Sequence, residues 1–433
     1  MLKPELSSPA GSLKNMRYAF AYGADAVYAG EPRYSLRVRN NEFNYKNLSQ
    51  GIKEAHNLNK KFYIVINIIP HNDKLKTFSK DLIKIVKLKP DALIISDPGL
   101  IMITRELFPE IKIHLSVQAN TINWASVKFW KQIGLNRIIL SRELSINEIF
   151  EIKKLVPDIE LEVFIHGSLC MAYSGRCLLS SYINKRDSNQ GACTNICRWK
   201  YNIYEYKKYR INNIENSSIF KNKIINKTFT INNNTSKEYM LLSEDEHGSY
   251  IINSKDLCAI KYIEKLIKIG INSFKIEGRT KSFYYCARTA QIYRKAINSV
   301  INGKQVSNFL ISSIKKLSNR GYTEGFLNRH ANHISYQNYD FSHSISSSQQ
   351  FVGEFTGKFL NNFAELNVKN KFSIGDSLEI MTISKNIVFI LKTLKNYKNE
   401  IINIAPGDGH VVYLKIPKNT DIKFALLIRN IKK

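Results

Sequence analysis

No run in the chain approaches the roughly 20 apolar residues that a membrane-spanning helix needs. The opening Met-Leu-Lys-Pro-Glu-Leu carries no secretory hydrophobic region. Together these absences imply a cytoplasmic protein with no membrane partner. Cysteine is scarce, six in 433 residues, which excludes a disulfide framework in so long a chain. Acidic residues are outnumbered, 36 Asp plus Glu against 64 Lys plus Arg, leaving a net charge of +28. Such an excess draws phosphate backbones by long-range attraction and counterion release, yet Lys, Asn and Ile crowd even the loops. Charge alone therefore leaves RNA binding and a coding bias equally open. Missing too are a His-Glu-x-x-His zinc motif and a defensible Ser, His, Asp order.

What is present is an ordinary globular composition, 44% apolar and 23% charged, long enough for two or three domains. Short apolar strands alternate with amphipathic helical stretches, the pattern of a parallel sheet covered by helices. The expected strands lie near Pro4–Leu6, Ala26–Tyr28, Phe62–Ile68, Ala92–Ile95, Lys112–Leu115, Arg137–Leu140, Leu161–Ile165 and Ser273–Ile276. Ser12 can cap a helix running to Tyr22, and Ser145 another running to Lys154 before Pro157. Eight such units predict a (β/α)8 TIM-like barrel over residues 1–330, with an open doubly wound sheet as the alternative.

In such barrels the working residues sit where strands end, because the βα loops converge there. That rule selects Asn67, Asp97, Ser116, Gln118, Ser141, Arg142, Glu143, His166, Glu277 and Arg279. Each could equally be a helix cap or an ion pair. After the seventh strand the alternation stops for an insertion spanning about 168–252, whose part from Tyr201 to Tyr239 reads as a poorly ordered loop or small irregular subdomain. A long helix expected over about Phe283 to Asn302 reads as solvated, with a phosphate-binding face around Tyr285 and Arg288 as the sharper alternative. Residues 331–350 look like a linker. Beyond it the period falls to two, predicting a small all-β barrel over 351–433.

Four cysteines, Cys170, Cys177, Cys193 and Cys197, fall within 28 residues, with six, fifteen and three residues between successive members. Four thiolates suit either zinc or an iron–sulfur cluster, since both accept tetrahedrally disposed soft ligands. Only Cys193 and Cys197 approach a zinc knuckle, whereas ligands drawn from several points around a cavity suit a [4Fe–4S] cubane. The radical S-adenosylmethionine signature is absent, because Lys200 stands where its third cysteine belongs. Thiol catalysis with His166 as base and plain apolar packing stay open as well.

The run Glu162-Val-Phe-Ile-His-Gly-Ser-Leu-Cys170-Met-Ala-Tyr-Ser-Gly-Arg-Cys177 resembles the signature of the peptidase U32 family, the so-called collagenase-like proteases. So do Glu5-Leu-Ser-Ser-Pro-Ala-Gly-Ser-Leu, Tyr22-Gly-Ala-Asp-Ala-Val-Tyr28, Asn253-Ser-Lys-Asp-Leu, the run from Lys275 through Cys286, and Arg320-Gly-Tyr-Thr-Glu-Gly-Phe326. The likeness covers nearly the whole chain except Tyr201–Tyr239. It implies an iron–sulfur protein that helps hydroxylate RNA bases, in the tRNA branch converting the wobble uridine of the anticodon to 5-hydroxyuridine with prephenate as hydroxyl source. It further implies Cys170, Cys177, Cys193 and Cys197 as cluster ligands, with Cys258 as the rival fourth. His166, Arg142, Glu277 and Arg279 are then the expected catalytic and substrate-binding residues, the arginines taking phosphate or a small acidic metabolite. Whether an electron-transfer partner serves the protein is left open by the sequence. A peptidase and an RNA-binding scaffold without its own catalysis remain the alternatives.

Overall fold

The computed structural model describes residues 3–36, 41–169, 173–175, 193, 254–328, 344, 346 and 348–431, together with the strand backbones between 201 and 249 named below. Strands and helices alternate from the start: β1 (Glu5–Pro9), α1 (Leu13–Ala21), β2 (Ala26–Gly30), α2 (Tyr45–Asn57), β3 (Lys61–Ile66), α3 (Asn72–Lys87), β4 (Ala92–Ile95), α4 (Pro98–Leu107), β5 (Ile113–Leu115), α5 (Trp124–Gln132), β6 (Arg137–Ile139), α6 (Ile146–Leu155) and β7 (Glu160–Ser168). The insertion contributes an antiparallel sheet of β8 (Tyr201–Glu205), β9 (Phe229–Asn233) and β10 (Met240–Leu242), and a hairpin of β11 (Glu244–Asp245) and β12 (Gly248–Ser249). There follow β13 (Asp256–Cys258), α7 (Ile263–Ile269), β14 (Ser273–Ile276), α8 (Phe283–Ile301), α9 (Asn308–Lys315) and β15 (Tyr322–Thr323).

β14 pairs in parallel with both β1 and β7, so eight parallel strands close on themselves. The closed barrel replaces the open-sheet alternative. β13 adds an antiparallel strand against the end of β7, and β15 extends it. Local chemistry starts the helices where the sequence suggests. Ser12 accepts the Asn15 N–H at the head of α1, and Ser145 and Glu148 form a reciprocal capping box on α6. Outward-facing strand residues such as Ile64, Leu93, Leu115 and Phe274 share one buried core with Phe78, Leu82, Ile149 and Ile297 of the surrounding helices.

The expected solvated helix is a correction. α8 buries twelve of its nineteen residues, because it lies between the barrel and the C-terminal domain. Its Ala287 and Ala290 pack with Tyr18 and Tyr22 of α1 against Met381, Leu426 and Ile428. Arg288 is no phosphate ligand: its guanidinium is buried and donates to Glu379 at 3.0 Å.

The C-terminal domain is built from β16 (Gln349–Leu360), β17 (Phe363–Val368), β18 (Phe372–Ser373), β19 (Ser377–Met381), β20 (Asn386–Ile390), β21 (Leu394–Asn396), β22 (Ile404–Ala405), β23 (Val411–Leu414) and β24 (Leu426–Asn430). Seven strands form one antiparallel sheet in the order β20-β19-β24-β16-β17-β23-β21, with β18 and β22 as a separate pair. Leu378 and Ile380 near one end of that order share a core with Leu394 at the other, so the sheet curls around a single interior. β16 opens inside what reads as linker, and residues 331–343 of that linker lie outside the described residues. Among the described residues no helix is long and apolar enough to cross a membrane.

Candidate active site at the barrel mouth

The barrel lumen is not apolar throughout. Arg137 donates to Glu5 at 2.6 Å and to Glu162 at 3.0 Å, Lys275 donates to the far oxygen of Glu162 at 2.7 Å, and the Tyr63 hydroxyl donates to Glu5 at 2.9 Å. Burial alone would raise the Glu5 carboxyl, but Arg137 and Lys61 outweigh it and hold the group at about 2. Glu162, with no exposed surface, is likewise kept low against burial by Lys275 and Arg137. Sequence reasoning missed this layer. Its signal was available: single charges at lumen positions inside apolar strands, as in Leu161-Glu162-Val163 and Phe274-Lys275-Ile276.

Above the layer, Lys275 Nζ lies 3.9 Å over the Tyr28 ring. One level higher the lumen ends in Phe164, whose ring carries the Arg142 guanidinium at 3.8 Å. Glu277 holds that guanidinium at 3.2 Å, and both side chains keep partial access to solvent, 17% and 19%. Two residues from different βα loops, 135 apart in sequence, thus meet at the mouth. Phe164, the plate beneath them, is a candidate site residue that the strand-end rule passed over, since it sits inside β7.

Several strand-end residues fasten loops. Asp97 accepts from Leu100 N–H as the cap of α4, Ser116 accepts from Gln118 N–H, and Ser141 donates to Asn120. Asn67 accepts from the Leu36 N–H at 3.0 Å while Arg279 donates to the Leu36 carbonyl at 2.5 Å. The loop after β2 is therefore pinned from both β3 and β14.

His166 is brought to the strand end but turned from the lumen. The Tyr285, Tyr293 and Tyr322 rings surround it, its Nδ1 lies 3.3 Å from the Tyr293 hydroxyl, and burial pushes its pKa down to about 3, so the imidazole is neutral at pH 7. Beyond it Gly167, at φ +110°, passes so near Glu277 that a Cβ would meet the Glu277 carbonyl oxygen at 2.4 Å. That close passage sets the junction of β7 and β14.

Of the cysteine stretch, Cys170, Cys177 and Cys197 lie outside the described residues, and Cys193 is partly buried. Between the first two in sequence, Ser174 donates to Glu143 through its N–H at 2.8 Å and its hydroxyl at 3.1 Å. Gly175, at φ +79°, presses on the Gln118 carbonyl, 2.2 Å from where a Cβ would stand. These three residues, Tyr173 to Gly175, rest on the loops after β5 and β6, at the mouth. Cys258 lies across from His166 in the pairing of β13 with β7, its thiol 3.8 Å from the Tyr293 hydroxyl. Its neighbour Leu257 joins the lumen cluster with Phe164, so Cys258 faces α8 instead.

Fold and mouth define a class: a parallel α/β barrel with a cysteine-bearing insertion at its carboxyl face and an appended antiparallel domain. The chain matches the family model described as Peptidase family U32 over residues 11–337 and that of the Peptidase family U32 C-terminal domain over 347–429. It belongs to peptidase family U32. It is 60% identical to tRNA hydroxylation protein P of Escherichia coli K12, over 99% of this chain and 97% of that protein. A protein of the same name from Haemophilus influenzae is 59% identical over 99% and 96%. The 23S rRNA 5-hydroxycytidine C2501 synthase of Escherichia coli K12 is 27% identical over 96% of this chain and 59% of its own length.

Proposed function

We propose that this protein is a tRNA-hydroxylating enzyme whose reaction takes place at the carboxyl end of its barrel. The observation that carries this reading is the 60% identity, end to end, with a protein named for tRNA hydroxylation. The finer reading is conversion of the wobble uridine at position 34 to 5-hydroxyuridine in the cytoplasm. Anticodon bases are unpaired, so they can be splayed out and held by stacking. The Arg142 guanidinium, over the Phe164 ring and held by Glu277, offers such a surface. Arg142 and Arg279 also suit the carboxylates of prephenate, the co-substrate that the family likeness suggests.

For the cofactor we infer a [4Fe–4S] cluster held by Cys170, Cys177, Cys193 and Cys197, because four thiolates within 28 residues form a donor set of the right softness and number. Such a cluster would supply one-electron chemistry. The alternative fourth ligand, Cys258, is less suited, since its thiol meets Tyr293 on the α8 side of β13. Ser174 and Gly175, set against Glu143 and Gln118, support a location for this stretch over the mouth. The residues of this chain would bind the anticodon loop and orient the base.

The test is mass spectrometry of tRNA nucleosides from a deletion strain, complemented by the wild type and by Cys170→Ala. The expected result is loss of 5-hydroxyuridine on deletion, return with the wild type and none with the variant. Unchanged 5-hydroxyuridine in the deletion strain rules the reading out.

A further inference from the structure

The outer face of the C-terminal sheet carries an arrangement that its core does not require. In β17, Ala364, Leu366 and Val368 turn inward, leaving Phe363, Glu365 and Asn367 outside. Ala364 stands across from Leu414 and Glu365 from Tyr413, and Lys415, next along the chain after Leu414, is exposed. Lys395, across from Tyr413 on β21, lays its ammonium 4.6 Å over the Phe363 ring. One aromatic ring thus carries a lysine on the exposed face, with a second lysine, Lys415, exposed just past the end of β23, and Tyr413 stands across from both Glu365 and Lys395. On the same side of the sheet Leu360, across from Phe363, is 39% exposed, and Tyr397, two residues past Lys395, is 70% exposed. The single acid in the centre, Glu365, accepts from Tyr413 and Thr356.

β16, the neighbour of β17 in the sheet, is anchored to the barrel along its first residues. Gln349 at the start of β16 reaches Glu379, the partner of Arg288, while Phe351 stacks on Tyr284 and meets Phe283 edge-on at the head of α8. Glu354 then meets Tyr18 and Lys14 near the head of α1. β16 therefore climbs toward the helix N-termini, which in this barrel lie at the carboxyl ends of the strands. Its remaining residues continue past these contacts to Leu360, which pairs with Phe363. The register of β16 with β17 shifts between Phe355 and Phe359, and the Phe363 row lies beyond that shift.

We infer that the Phe363, Lys395, Lys415 and Tyr413 face is a platform for unpaired RNA, a second grip on the tRNA substrate carried by the C-terminal domain. Aromatic rings on an exposed sheet stack bases whatever their identity, and lysines interleaved with them neutralise the phosphates between. The protein's charge of +28 complements such an occupant. This inference rests on the tRNA reading and adds where the RNA is held.

The experiment is fluorescence anisotropy with full-length protein and labelled, unmodified tRNA across a salt series. Phe363→Ala with Lys395→Ala and Lys415→Ala should weaken binding by about tenfold or more and flatten the salt dependence by about two phosphate contacts. Phe363→Trp with Lys395→Arg should restore most of the affinity, which a merely structural role would not predict. Thermal midpoints within a few degrees of the wild type establish that the triple variant is folded. Affinity within twofold of the wild type in that folded variant overturns the platform and leaves the functional reading intact. Weakened binding combined with unchanged 5-hydroxyuridine in a deletion strain supports the platform and sinks the hydroxylation reading.

Discussion

Cys258 stands directly across from His166 where β13 pairs with β7, and the hydroxyl of Tyr293 touches both side chains, at 3.8 Å and 3.3 Å. The thiol is already committed to the wall between strand and helix. Cys258→Ala should therefore keep the iron content and the broad absorption band near roughly 400 nm of a cubane cluster, at a stability cost of about 1 kcal/mol for the lost contact. Cys197→Ala should lose both. A colourless Cys258→Ala protein beside a coloured Cys197→Ala one would reverse the assignment.

The C-terminal domain is held by a charge pair that water does not reach. Arg288 and Glu379 meet at 3.0 Å with side chains only 3% and 7% exposed, and Gln349 and Asn386 also bind the Glu379 carboxylate. Removing one partner strands the other charge in the interior. Arg288→Ala should lower the unfolding free energy by about 3–5 kcal/mol, whereas Arg288→Met combined with Glu379→Leu should recover most of it. Urea denaturation of the three proteins decides; equal midpoints for wild type and Arg288→Ala would contradict the account.

This pair also shows where sequence reading stops. Ser12, Ser145, Ala92–Ile95 and Ser273–Ile276 were legible because caps and short apolar runs are local signals, decided within a few residues. Arg288 and Glu379 are 91 residues apart, and Arg137 and Glu5 are 132 apart, so nothing local announces either partnership. Helix α8 looked solvated for the same reason: its polar residues find partners in a domain that follows it in the chain. At the mouth, Arg142 and Glu277 were legible from strand-end position, but their supporting plate Phe164 was hidden in an ordinary strand pattern.

Acid should expose the lumen network. The Glu5 carboxyl is held at about 2 against an ordinary value of 4.5, so the unfolded chain takes up its proton first as pH falls. Its contribution is complete above about pH 4.5 and drains away as pH drops toward 2, amounting to about 3 kcal/mol. Thermal midpoints measured from pH 7 down to 2 should fall in that window, and Glu5→Gln should start lower at pH 7 and lose part of the slope. A variant whose midpoint tracks the wild type throughout would show that Glu5 carries no such linkage.

The mouth pair gives the sharpest functional expectation. Glu277 aims the Arg142 guanidinium at 3.2 Å while the Phe164 ring lies beneath it at 3.8 Å. A charge-assisted hydrogen bond of this kind contributes about 1.5–3 kcal/mol, and each 1.4 kcal/mol is tenfold in rate. Glu277→Gln should thus reduce tRNA hydroxylation by about tenfold to a hundredfold. Arg142→Lys should do the same although the charge is kept, since an ammonium cannot lie flat on the ring or present a planar outer face. Both residues are partly solvated, so neither change should shift the thermal midpoint by more than a few degrees. Arg279→Gln, which frees the Leu36 carbonyl, tests the adjoining loop in the same way. Normal 5-hydroxyuridine in strains carrying Arg142→Lys would remove the stacked guanidinium from the site and leave Phe164 as a packing residue.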